Sequence, residues 1–317
     1  MVEVSRTLVV DVVFAQRSSA GAKMEELQSE VLREGLSFGE GPRWHDGRLW
    51  YSDFYQHAVF SMNEDASDHR LEHHVPQQPS GLGWLPSGDL LCVSAIDQKV
   101  LRFSDGNAEV FCDIAPYCGF WANDMLTSMN GVSYVGNFGF DLDLLLKEKG
   151  VEGLLASPPP TTNLVVINPD GDIIQVIDEM AFPNGTVITP DGSTLIVGET
   201  MTFRLTAFDI RPDGTLSNRR VWAQLDFVAT DGMCIDAEGQ IWLANALTNQ
   251  VLRVKEGGEI TGVVTTSQTS FACMLGGQDQ RTLYVMTAPS SDRFEIANKT
   301  LGKIETARVH VPGAGQP

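Results

Sequence analysis

One recurring phrase constrains the fold of this chain more than any other feature. It is a turn, usually with glycine, followed by a short run of alternating or continuous apolar residues. It reads HDGRLWYSD (His45 to Asp53), PSGDLLCVS (Pro86 to Ser94), MNGVSYVGN (Met129 to Asn137), PDGSTLIVG (Pro190 to Gly198) and AEGQIWLAN (Ala237 to Asn245). A degenerate sixth copy is QDQRTLYVM (Gln278 to Met286). The turn glycines Gly47, Gly88, Gly131, Gly192 and Gly239 are 41, 43, 61 and 47 residues apart, and Gln280 stands a further 41 on. A period of about 40–50 residues is that of a four-stranded propeller blade. A second apolar phrase follows five of the copies (HAVFSM, QKVLRF, NLVVIN, RLTAFD, NQVLRV) and reads as a third strand.

Six such units consume almost all of the 317 residues, and sustained helical periodicity is nearly absent. The expected fold is all-β: a six-bladed β-propeller of four-stranded blades around a central channel, with the chain termini completing one blade. The long interval carries an insertion at about residues 141–160, including LLLKEKG and Ser157-Pro158-Pro159-Pro160. It reads as one helical turn and a Pro-rich loop. Residues 1–30 read as an N-terminal extension and 31–317 as the propeller. Within the first stretch Thr7 to Phe14 reads as a strand or ordered extension, and Met24 to Arg33 as a short helix or an outer strand.

Composition excludes several functions. The formal charge is −19, and the pI near 4.6 disfavours nucleic acid and anionic membrane surfaces, which need clustered Lys and Arg. No apolar run approaches the roughly 18 residues of a membrane-spanning helix. The five cysteines are odd in number and scattered without a CxxC pair, so they read as reduced, buried thiols. The apolar stretch Leu8 to Ala15 is broken by Asp11 and is a poor secretion signal, so a cytoplasmic protein is expected.

Counting eight positions back from each turn reaches Ser80, Asn123, Asn184, Asp231 and Ala272, and seven back from Gly47 reaches Glu40. In a propeller these equivalent positions converge on the channel axis. Glu40, Asn123, Asn184 and Asp231 bring two carboxylates and two amide oxygens, a donor set for a hard divalent cation. Calcium is the first expectation, and magnesium or manganese accept the same donors. No His or Cys joins the ring, which disfavours a soft metal. Asn184-Gly185 and Asp231-Gly232 are also ordinary turn pairs, and Ser80 reads as a ring member or a turn cap. Glu199 lies past an inner strand, either behind the site or exposed.

GEGPRW (Gly39 to Trp44), AND (Ala122 to Asp124), PNG (Pro183 to Gly185) and TDGMCIDAEGQIWLA (Thr230 to Ala244) resemble the SMP-30/gluconolactonase/luciferin-regenerating enzyme family. The resemblance runs from about Leu36 to about Thr287. It implies a six-bladed propeller with one divalent metal held by Glu40, Asn184 and Asp231. It implies that Asn123 contacts metal or substrate and that Asp231 is general base or nucleophile. The implied chemistry is hydrolysis of a small-molecule lactone or ester. Sugar-lactone hydrolases of this family tend to carry Arg two residues before the channel Asn, where this chain has Trp121. Phe120, Trp121, Phe138 and Phe140 are therefore expected at an aromatic mouth, alongside Asn123 and Ser80 as substrate contacts. This favours a lactone less polar than a sugar aldonolactone. The alternatives are a phosphotriesterase or arylesterase on the same metal site, and a non-catalytic calcium-binding scaffold.

Overall fold

A computed structural model describes residues 24–315. The stretch Thr7 to Phe14 lies outside the described residues. The chain enters through β1 (Glu25–Gln28) and β2 (Glu30–Leu36). Blade 1 is β3 (Gly39–His45), β4 (Arg48–Asp53), β5 (Ala58–Met62) and β6 (Arg70–His74). Blade 2 is β7 (Pro79–Trp84), β8 (Leu90–Ser94), β9 (Lys99–Ser104) and β10 (Asn107–Asp113). Blade 3 is β11 (Ala122–Thr127), β12 (Ser133–Asn137), β13 (Thr162–Ile167) and β14 (Ile173–Met180). Blade 4 is β15 (Pro183–Ile188), β16 (Thr194–Glu199), β17 (Arg204–Ile210) and β18 (Leu216–Gln224). Blade 5 is β19 (Thr230–Ile235), β20 (Ile241–Asn245), β21 (Gln250–Val254) and β22 (Ile260–Thr265). Blade 6 is β23 (Thr269–Gly276), β24 (Thr282–Ala288) and β25 (Gly302–Arg308), completed by β2. This is the six-bladed propeller that the repeat period implies, and the five third-strand phrases are β5, β9, β13, β17 and β21.

The strands read as near-continuous apolar runs because each blade is covered on both faces by its neighbours. All of β8, LLCVS, is buried. The core is correspondingly divided into six apolar wedges, one between each pair of adjacent blades, with a seventh cluster of Phe38, Phe54, Phe271, Ala288 and Ile296. Leu82, Leu90 and Cys92 meet Val59 and Val75 between blades 2 and 1, and Trp242 and Val264 meet Leu283 and Val285 between blades 5 and 6. Four cysteines are buried and all five are free thiols. Among the described residues no helix is long and apolar enough to cross a membrane.

Met24 to Arg33 resolves to strands rather than a helix. β1 adds to blade 5 in parallel with β22, and β2 pairs antiparallel with β25. Helical propensity loses here to two open sheet edges that would otherwise expose unpaired backbone groups. Between the two strands Ser29 hydrogen-bonds to Glu305 of β25, whose carboxylate also accepts from Ser267 N at 2.9 Å and Thr287 Oγ1 at 2.8 Å. The entering strands are thus latched to both final blades.

Burial alone would raise the Glu305 pKa, but these hydrogen bonds outweigh it and hold the group below its ordinary 4.5. A depressed folded pKa means stability that is full above the unfolded value and lost as pH falls through the folded one. Glu305→Gln is expected to cost about 2 kcal/mol at pH 7. Urea unfolding checks this, with the difference from wild type shrinking below about pH 4.5 as the wild-type carboxylate itself protonates.

The insertion is more ordered than one turn. Helix α1 (Leu142–Ala156) is 15 residues long and breaks at Gly150, where φ is 67°. Asp141 caps it, accepting from Leu144 N at 3.1 Å. A short second helix, α2 (Arg293–Ile296), lies in the β24–β25 connection.

Candidate functional site

Each inner strand carries a bulge at or directly beside the position that sequence counting reaches; Glu40 and Ala272 stay paired, with Ser52 and Met286, at the edge of theirs. In blade 1 the register breaks between Glu40 and Arg43, in blade 3 between Ala122 and Met125, in blade 4 between Pro183 and Thr186, and in blade 5 between Thr230 and Met233. Blades 2 and 6 break likewise. A bulge inserts one unpaired residue and turns its side chain out of the regular pleat. Here that direction is the channel.

Four of these residues are followed by glycine (Gly41, Gly81, Gly185 and Gly232), which serves close approach of neighbouring strands rather than a hairpin turn. A Cβ on Gly185 would stand 2.2 Å from the Asp231 carbonyl oxygen, and one on Gly81 2.1 Å from Met125 N. One on Gly232 would stand 2.5 Å from the Ala272 Cβ. In blade 3 the same place holds Asp124, whose carboxylate crosses to Arg43 of blade 1 at 3.1 Å.

Glu40, Asn123, Asn184 and Asp231 line one pocket. Asn123 Nδ2 donates to Asn184 Oδ1 at 3.1 Å, and Asn184 Nδ2 donates to Thr200 Oγ1 at 3.1 Å. Thr200 in turn donates to the Thr230 carbonyl at 2.7 Å, so both amide planes are set by a chain anchored in backbone. Ser80 does not line the pocket; its hydroxyl, 3.5 Å from Asn123 Oδ1, braces that amide from behind.

The charge of this ring is unbalanced. Glu40, Asp124 and Asp231 influence one another, while the cation among them, Arg43, is committed to Asp124, the Pro42 carbonyl and the Met125 carbonyl. Burial first, then the charges of Asp231 and Asp124, hold Glu40 well above the ordinary carboxylate range. Burial and then Asp124 raise Asp231, eased by the Asn184 side chain. When all three are ionised, three carboxylates against one guanidinium leave a deficit of two positive charges in a desolvated place, and burial together with that deficit is what raises Glu40 and Asp231. Such carboxylates are stable when paired or when they bind a metal. A divalent cation with oxygen preference fits both the charge and the donors. Among the described residues no three His, Cys, Asp or Glu side chains are grouped so as to hold a metal by themselves, so a cation here would rest on the two amide oxygens as well as on Glu40 and Asp231.

The wall above this ring comes from two further sets of repeat-equivalent positions. Two residues before the channel positions stand Phe38, Gln78, Trp121 and Phe182, and directly after the second strands stand Phe54, Phe138, Thr200 and Ala246. Phe120, Tyr55 and Phe271 complete an aromatic lining. Trp121 and Phe120 stack with ring centroids 4.9 Å apart. Phe140 is buried behind the wall, edge-on to Phe182 at 6.0 Å. The same counting applied at these two offsets would have found most of the wall.

The last residue of the second strand fastens the loop that delivers each channel residue. Asp53 accepts from Ser37 N and Phe38 N at 2.8 and 3.2 Å, Asn137 from Gly119 N at 3.3 Å, and Asn245 from Ala229 N at 3.2 Å. Glu199 does the same for Ala181 N at 2.8 Å, itself fully buried and paired with Arg204 at 2.7 Å. Of the two expected placements it takes the one behind the site and is not exposed.

The fold recurs in known proteins. A calcium-binding regucalcin from Agrobacterium tumefaciens superimposes with a TM-score of 0.75 at 18% identity, covering 93% of this chain and 98% of that one. A gluconolactonase from Xanthomonas campestris gives a TM-score of 0.65 at 21% identity, covering 89% of this chain and 88% of that one. In sequence, the regucalcin of Xenopus laevis is 32% identical over 269 residues, which is 81% of this chain and 85% of that protein. That of Danio rerio is 31% identical over 272 residues, with the same shares covered. Residues 38–289 match the model of the SMP-30/Gluconolactonase/LRE-like region. That span contains all six channel positions, and the chain belongs to the SMP-30/gluconolactonase/LRE-like family.

Proposed function

We propose that this protein is a divalent-cation-dependent lactonase whose substrate is less polar than a sugar aldonolactone. The observation that carries the reading is the oxygen-donor ring, short of two positive charges, beneath an aromatic wall. Relatives named as regucalcins and gluconolactonases support it. Glu40, Asn123, Asn184 and Asp231 would hold the cation, with calcium first among those that accept such donors. The bound cation supplies Lewis-acid polarisation of an ester carbonyl.

The protein's own side chains do the rest. The Asp231 carboxylate receives the proton of an attacking water, or attacks the carbonyl itself. Asn123 and Asn184, tied together and to Thr200, keep the ring rigid so that little reorganisation accompanies the reaction. Phe120 and Phe138 bury the apolar part of the substrate and exclude water, and Trp121 lines the same pocket beside them. Five free thiols suit a reducing compartment such as the cytoplasm.

The test is hydrolysis of a panel of sugar and non-sugar lactones by purified protein, stripped with a chelator and then reloaded. Activity lost on stripping, restored by calcium and highest on apolar lactones is the expected result. Stoichiometric calcium binding with no lactone opened would sink the reading and direct attention to phosphotriesters, aryl esters or a scaffold role.

A further inference from the structure

The pocket is bridged from side to side. Helix α1 leaves blade 3 between β12 and β13, and α2 leaves blade 6 between β24 and β25. Inner strands touch in chain order around the ring, β23 closing on β3, so blades 3 and 6 face each other across the channel. Their excursions nevertheless meet. Arg293 Nη1 and Nη2 donate to the two Asp141 carboxylate oxygens, both at 2.7 Å, and Nη1 also reaches Asp143 Oδ2 at 3.1 Å. The Arg293 backbone N–H points to the same Asp143 oxygen at 3.4 Å. Tyr55 of blade 1 adds a long hydrogen bond to the Ser291 carbonyl at 3.4 Å.

This junction belongs to the pocket itself. Asp143 and Arg293 line the same cavity as Glu40 and Asp231. The guanidinium also lies over the Trp121 ring, 5.2 Å from its centroid. The indole face that the sequence offers to substrate is therefore covered by a cation from the opposite blade. That cation is itself neutralised by two carboxylates, so it is not a free anion receptor.

We propose that Arg293 is a specificity-determining residue. Its ion pairs with Asp141 and Asp143 fasten α1 across the mouth as a strap, and the strap limits the bulk of the lactone that reaches the channel ring. This rests on the lactonase reading above. A bidentate guanidinium–carboxylate pair is directional, so a lysine cannot reproduce it. Asp141 also caps α1, so the ion pair and the helix start support each other.

Two measurements on the full chain test the proposal. Hydrogen exchange followed by mass spectrometry reads the amides of residues 142–156; Arg293→Ala should speed them about tenfold, and Arg293→Lys less. The second is the ratio of kcat/KM for a bulky aryl-substituted lactone to that for a compact one. It should rise about tenfold in Arg293→Ala and return partway in Arg293→Lys, with calcium affinity unchanged. Unchanged exchange would show that the junction fastens nothing and would overturn the strap. Faster exchange with an unchanged ratio would overturn the size filter. A wild-type protein inert to every lactone would sink the lactonase reading, and the filter with it, whatever the exchange shows. Should Arg293→Ala fail to fold, Asp143→Asn and Arg293→Lys carry the same two readings.

Discussion

Asp231→Asn is expected to weaken calcium binding at least about a hundredfold and to lower lactone turnover about a thousandfold. The substitution keeps the shape and removes one charge. The channel ring holds Glu40, Asp124 and Asp231 against Arg43 alone, so the two uncompensated carboxylates are the electrostatic basis for holding a dication. Losing one charged partner of a desolvated set costs about 3 kcal/mol, the source of the affinity figure. Turnover falls further because an amide cannot accept the proton of water, and a preorganised catalytic group contributes factors of roughly a thousand.

Glu40→Gln separates the two roles. It should weaken calcium comparably, yet recover much of its turnover when calcium is raised to saturation. Asp231→Asn should stay inactive at saturating calcium. Calcium titration by calorimetry, with turnover measured at saturation, distinguishes these outcomes. Equal recovery of both variants would remove Asp231 from the chemistry and leave it as a ligand only.

Gly185→Ala is expected to destabilise the protein by about 3 kcal/mol, among the larger effects of a single methyl group. Its φ is ordinary; the obstacle is space. The added Cβ would lie 2.2 Å from the Asp231 carbonyl oxygen and 2.8 Å from Met233 N. Both are backbone atoms of the next blade, and neither can rotate away as a side chain could. The ring must expand between blades 4 and 5, which also parts Asn184 from Asp231.

Gly192→Ala is the contrasting case. Gly192 sits in a hairpin with φ at 73° and nothing within 4 Å of an added Cβ, so it should lose about 1 kcal/mol through backbone strain alone. Urea unfolding of both variants, with calcium titration alongside, checks the difference. Only Gly185→Ala should also weaken calcium binding. Equal destabilisation would mean that the inner ring is more compliant than close backbone packing implies.

The channel residues were legible because symmetry turns sequence spacing into proximity. Glu40, Asn123, Asn184 and Asp231 are up to 191 positions apart, yet a count of seven or eight back from the turn reaches each, and all four line one pocket. Their glycine partners were legible as letters but not in meaning. Asn184-Gly185 and Asp231-Gly232 read as turn pairs, whereas they are bulged strand positions where one blade touches the next. Glu199 reads as a carboxylate behind the site or an exposed one; it is the former, a buried anchor for the loop ahead of Asn184, and only the tertiary structure separates the two.

By itself the sequence determined the number of blades, their boundaries and the equivalent positions that meet at the axis. These follow from periodic local signals: a turn, an apolar run, a second apolar run. Tertiary structure decided what lacks a period. Met24 to Arg33 became two strands because blades 5 and 6 each had an open edge. The insertion became α1 because its N-cap, Asp141, also binds a guanidinium 152 residues away. Whether Trp121 offers its face to a substrate or to Arg293 depends on a loop from the opposite blade. No local preference encodes such a contact, because its free energy exists only once the ring has closed and brought the two excursions together.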